Sequence, residues 1–186
     1  MSPPVSGPAA DLWSFMLAIY ARPGVAPACL RLQEAHGLDV PLFLAALYGA
    51  AGGRRLDTAA MRSLDGACAE WRDQVIRPLR QVRRAMKDAH LLGWHPDVPA
   101  LREAVKAQEL QAENIQVRVL EAMILALPEA ARPNREDALP DVSALVLDLC
   151  DPGREERLPA DARNIAEACR GMLGPWPRPP GDHRAG

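Results

Sequence analysis

One stretch, Leu56 to Lys87, limits what this chain can become more than any other. It reads LDTAAMRSLDGACAEWRDQVIRPLRQVRRAMK. Apolar residues recur at Ala60, Leu64, Ala67, Cys68, Trp71, Val75, Leu79, Val82 and Met86, in steps of three and four. That is the α-helical period, and it keeps one phase past Pro78. A proline ring clashes with the carbonyl four residues back, here Gln74, and removes one hydrogen bond. It also disfavours the α region for Arg77. The unbroken apolar phase predicts a kink at Pro78 in place of a true break. The opposite side of the stretch carries a basic stripe. Arg77, Arg84 and Lys87 stand far from the apolar edge, whereas Arg80 and Arg83 stand closer to it.

The remaining segments also read as helices. Met1 to Ala10 is a Pro, Gly and Ser leader with too little apolar surface to order. Asp11 is a suitable N-cap for a first helix, Leu12 to Tyr20. That helix is apolar on nearly every side, which predicts burial from more than one direction. Val25 to Ala35 follows, with Cys29, Leu30 and Leu32 facing inward and Gly37 as the C-cap. Asp39 caps a third helix, VPLFLAALYGAA, the candidate core centre. Asp57 caps the long element. Another helix runs from about Pro99 to Leu127, with one stripe at Leu101, Val105, Ala112, Ile115, Val119 and Met123. A second group lies at Leu110, Val117, Leu120 and Ile124. Glu109 and Glu113 fall between the two groups, where burial without partners would be costly. The arginines of the preceding helix are the obvious partners.

From residue 128 the composition turns Pro-rich. Two short helices, Val142 to Cys150 and Ala160 to Leu173, are expected there, with Asp161 as N-cap of the second and a disordered tail behind it. The predicted class is all-α. The expected architecture is an irregular or orthogonal bundle of about five helices over residues 11–127, extended by a loosely docked segment 128–186.

Charge and cysteine usage narrow the function classes. With 22 basic and 24 acidic residues the net charge is −2, which argues against general nucleic-acid binding. The longest uncharged run, Val40 to Gly53, is too short to span a bilayer. No signal peptide is recognisable, and the four cysteines form no CxxC. Reduced thiols in a cytoplasmic protein are the expectation.

Catalytic signatures are absent: no GxSxG, no GxxxxGK[ST], no GxGxxG. Helical di-metal sites combine glutamates with ExxH motifs. Glu109 and Glu113 have no such histidine, and His90 and His95 sit beside a loop. No metal and no cofactor are expected. Trp71, Arg80, Arg83, Glu109 and Glu113 form a candidate polar cluster that either binds a ligand or sets helix register. Arg77, Arg84 and Lys87 form a candidate partner-facing stripe, against the ordinary alternative of a solvated face.

Three segments together resemble a known family. They are LWSFMLAIYARPGVAPACLRLQEAHGLDVPLFLAALY, the stretch from Trp71 through VIRPLRQVRRAMK, and LREAVKAQELQAE. Over about Leu12 to Leu127 they are similar to a small all-helical family of proteobacterial hypothetical proteins, a domain of unknown function. Tyr20, Pro23, Gly24, Trp71, Pro78, Arg80, Arg83, Glu109 and Glu113 are among the matching positions. Pro41 stands where that family would carry a polar residue. The resemblance implies a cytoplasmic helical protein and no particular activity. The function expected from the residues is a non-enzymatic interaction or adaptor module that meets an unknown protein or acidic ligand through its arginine-rich helix face. The alternative is a small-ligand-binding or enzymatic domain with a pocket near Trp71, Arg80, Glu109 and Glu113. Homo-oligomerisation through the wide apolar arcs stays open.

Overall fold

The structure is a computed structural model that describes residues 11–88, 90, 92–130 and 135–172, the side chains of 135–137 excepted. The leader and the tail beyond Met172 lie outside the described residues. Those described are all-α, with only one isolated bridge, Arg54 to Glu129. In order the elements are α1 (Leu12–Tyr20), α2 (Val25–His36), α3 (Val40–Ala51), α4 (Thr58–Trp71), a π-helical turn (Arg72–Ile76), α5 (Arg77–Ala85), α6 (Val98–Ala126), α7 (Arg135–Cys150) and α8 (Ala160–Arg170).

The third helix is the centre, as its composition predicts. Every residue from Leu42 to Ala51 is buried, and α3 packs against α7, α6, α1, α8 and α4. Gly49 lets α6 come close: a Cβ built there would lie 3.0 Å from Ile124 Cγ2. Backbone ties close the far end, where Arg55 N–H donates to Pro128 O at 2.9 Å and Ala130 N–H to Gly53 O at 2.8 Å.

Local signals set several helix ends. Asp11 Oδ1 accepts from Ser14 N at 2.7 Å, and Asp57 Oδ1 from Ala60 N at 3.0 Å. Gly37 closes α2 in the left-handed region, φ 64°. Two expected caps differ. Asp39 stands at the start of α3 but caps nothing with its side chain. Pro159 precedes α8, and Asp161 lies in the first turn, paired with Arg31 at 2.7 Å.

Pro78 does not interrupt the helix. The π turn immediately before it, with Arg77 N–H donating to Arg72 O, widens the backbone where the ring would otherwise crowd the preceding turn. Arg77 keeps α values, φ −60° and ψ −45°, against the expected shift out of that region. The wide turn supplies the room that a regular α-turn would deny the ring.

Burial departs from the apolar pattern in three places. α1 buries one face, Leu12, Met16 and Ile19, and leaves Leu17 exposed. Leu30 points outward, because α2 presents Val25, Ala28, Cys29 and Leu32 to its neighbours. On α6 the expected stripe is split: Leu101, Ile115 and Val119 are exposed, whereas Ala112 is buried together with Glu109, Gln116, Val117, Leu120 and Ile124. The segment after 128 also departs from loose docking. Leu139, Val142, Val146, Leu147, Ile165, Ala166 and Cys169 all belong to the central core. Helix α7 lies on α3 and α8 on α2. The two helices expected there are present, the first beginning earlier at Arg135, and their apolar faces complete the bundle.

Candidate functional site

Helix α5 divides its cations by phase. Arg80 and Arg83 turn toward α6. Arg80 Nε donates to Glu109 Oε1 at 2.9 Å and its Nη2 to Glu113 Oε1 at 2.6 Å. Arg83 grips Glu109 with both Nε and Nη2. Glu109 is thus shared by two guanidiniums and is 5 % exposed. Arg77 pairs with Asp73 one turn back at 2.6 Å, both side chains about half exposed. Arg84 and Lys87 are exposed and have no ion pair among the described residues. Trp71 is apart from the cluster: its indole N–H donates to Ala112 O at 3.0 Å, pinning α4 to α6.

The two carboxylates respond oppositely. Burial raises the Glu109 pKa, but Arg83 and Arg80 more than offset this and hold it below its usual value. At Glu113 burial prevails over the single Arg80, with Glu109 adding to the rise, so the carboxyl sits above its usual value. The linkage signs follow. Glu109 contributes stability above the ordinary value of 4.5 that is lost as pH falls through its lower folded value. Glu113 contributes fully below 4.5 and loses that contribution as pH rises through its higher folded value. At pH 7, Glu109→Gln is expected to destabilise by about 3 kcal/mol, since it strips charge from a mostly buried pair. Glu113→Gln should cost clearly less, and the gap should narrow in acid. Urea unfolding of both variants at neutral and acid pH checks this; equal losses at pH 7 would refute the assignment.

A second polar centre lies alongside. Asp39, its side chain 7 % exposed, accepts from Arg72 Nη1 at 2.7 Å. The same Oδ2 accepts from Gln116 Nε2, also at 2.7 Å. Arg72 also reaches Asp65 at 2.8 Å. One carboxylate therefore joins the start of α3, the π turn and α6. By residue type and place Asp39 is a cap candidate, and Arg72 and Gln116 are not among the residues singled out from sequence. A signal existed. Arg72 follows Cys68 by four and Leu64 by eight, and Gln116 stands between Ala112 and Leu120 at steps of four. Both polar residues are in phase with buried positions.

Between these centres opens a cleft of about 240 Å³. Arg77, Gln81 and Arg84 of α5 border it, with Asp39, Arg72, Arg80, Glu113 and Gln116 deeper and Leu38, Val40 and Ile76 as apolar wall. Of the polar cluster expected from sequence, Arg80 and Glu113 line this cleft. Glu109, Arg83 and Trp71 do not. Of the expected basic stripe, Arg77 and Arg84 stand on its border and Lys87 beyond it. Among the described residues, no group of three or more His, Cys, Asp or Glu is placed to hold a metal, and no helix is long and apolar enough to cross a membrane.

Residues 11–120 match the family model described as protein of unknown function (DUF2390). This is more than half of the chain's 186 residues. The chain belongs to the DUF2390 family. All the residues of both polar centres and of the cleft lie inside the DUF2390 segment, and α7 and α8 lie beyond it. No curated protein and no solved structure matches the chain.

Proposed function

We propose that this protein is a non-enzymatic binding module, and that the outer face of α5 takes an acidic segment of a partner protein in the cytoplasm. The observation that carries this is the sorting of cations along α5 and the turn that follows it. Arg80 and Arg83 are consumed by Glu109 and Glu113. Arg84 and Lys87 are left exposed, next to Arg77 in a half-exposed pair. Exposed ion pairs of that kind are worth only about 0–1 kcal/mol, so a partner's carboxylate can replace Asp73 at little cost. Arginine suits the task, because its planar fork matches a carboxylate in two hydrogen bonds. Binding is favoured over catalysis because the cleft carboxylates, Asp39 and Glu113, are already held by arginine or amide donors. A reducing compartment suits the four free thiols, three of them buried.

A short, labelled Glu- and Asp-rich peptide tests the reading. Fluorescence anisotropy should show binding that weakens steeply with salt, no binding of the Gln/Asn counterpart, and loss in the triple variant Arg77→Glu, Arg84→Glu, Lys87→Glu. If wild type and triple variant bind the acidic peptide alike, or neither binds, the face has no such role.

A further inference from the structure

The cleft carries chemistry that a solvated arginine ridge does not require. At about 240 Å³ it falls below the roughly 300–1,000 Å³ of sites for drug-sized ligands. A nucleotide or flavin is too large for it; a molecule the size of one amino acid is not. Its border offers Arg77, Gln81 and Arg84, spaced four and three apart, so they share one face of α5. Arg84 has no counter-ion among the described residues, which makes it the anchor for a carboxylate.

The floor offers the complementary group. Gln116 is 2 % exposed, and its amide orientation is fixed, since only the Nε2 side can donate to Asp39 Oδ2. Its Oε1 is then a buried acceptor with no hydrogen-bond partner. Such an orphan is destabilising, and a ligand N–H would relieve it. Because Oε1 is closed to solvent, engagement requires the Gln116 side chain to shift toward the cleft. Glu113 stands nearby on α6 with Arg80 as its one guanidinium partner. The lining therefore presents an unpaired cation on its border and the Glu113 carboxylate within, with the unsatisfied Gln116 acceptor buried behind it.

We infer that this cleft binds a small amino-carboxylate of the amino-acid type. The carboxylate sits on Arg84 and the free side of the Arg77 guanidinium, and the amine donates toward Gln116 Oε1 and Glu113. Leu38, Val40 and Ile76 receive the apolar part of the side chain. This site shares Arg77 and Arg84 with the acidic-partner reading, but it needs Gln81 and not Lys87, so substitutions at those two positions separate the two.

The test uses the full chain and a panel of free L-amino acids, read by thermal shift and then by calorimetric titration. At least one should give a saturable stabilisation, and its carboxamide derivative should bind at least about tenfold more weakly. Arg84→Gln should weaken binding to a similar extent. Gln81→Trp, which fills the mouth without touching an ion pair, should abolish it while circular dichroism stays unchanged. Lys87→Glu should leave it intact yet weaken the acidic peptide. The site is overturned if no amino acid shifts the protein. It is equally overturned if the carboxamide binds as well as the acid, or if binding survives Gln81→Trp.

Discussion

A chain ending at Ala130 is expected to lose cooperative unfolding altogether. The cut removes α7 and α8, and with them Leu139, Val142, Val146, Leu147 and Ile165, each at most 4 % exposed. At about 2 kcal/mol for each buried aliphatic side chain, the loss approaches 10 kcal/mol. A whole domain is stable by only about 5–15 kcal/mol. The cut also uncovers the faces of α3 and α2 that these helices protect. Two polar latches go as well: His36 Nδ1 to Asp151 Oδ2 at 2.8 Å, and Arg31 to Asp161 at 2.7 Å. The family match stops at residue 120, so the truncation asks whether the shared segment folds alone in this chain. Urea titration followed by circular dichroism decides it. A sharp transition in the truncated chain would show that α7 and α8 are accessories.

Replacing Asp39 by Ala is expected to be the most damaging single polar substitution, at about 3–5 kcal/mol. That is the range for breaking a buried ion pair by deleting one partner. Arg72, its side chain 14 % exposed, keeps Asp65. Gln116 loses its hydrogen bond to Asp39 and becomes an unsatisfied buried amide. Three elements lose their common tie, so the damage should exceed that of deleting an ordinary cap, about 1 kcal/mol. Asp39→Asn should recover part of the loss, since its carbonyl still accepts while the charge is gone. Midpoints of chemical unfolding for wild type, Asp39→Asn and Asp39→Ala should fall in that order. A loss near 1 kcal/mol for Asp39→Ala would reduce this centre to a simple helix cap.

Helical phase made a large part of the fold legible. It marks the all-α class, the long element across Pro78, and α3 as the helix to be surrounded. Caps with a short side chain and a free N–H nearby, Asp11 and Asp57, are local devices and were readable for that reason. The approach of Arg80 and Arg83 to Glu109 and Glu113 was within reach of phase alone, because each group lies near the edge of its own apolar face.

Position along one helix could not reveal what lies opposite it. Asp39 is a good cap by type. It is drawn away because the π turn brings Arg72, and α6 brings Gln116, to the same carboxylate. Leu101, Ile115 and Val119 form a plausible buried stripe, yet all three are exposed. Conversely, the face that includes Glu109 is buried because α5 covers its charge with two arginines. The Pro-rich stretch after residue 128 looked peripheral, and it supplies the layer against α3. The sequence by itself determined which segments are helical and which side of α5 is charged, since both follow from a 3.6-residue period and local backbone chemistry. Only the tertiary structure decided which faces are covered and which cations keep a partner. Burial and ion pairing are properties of two surfaces at once, and the second surface comes from residues far away in the chain.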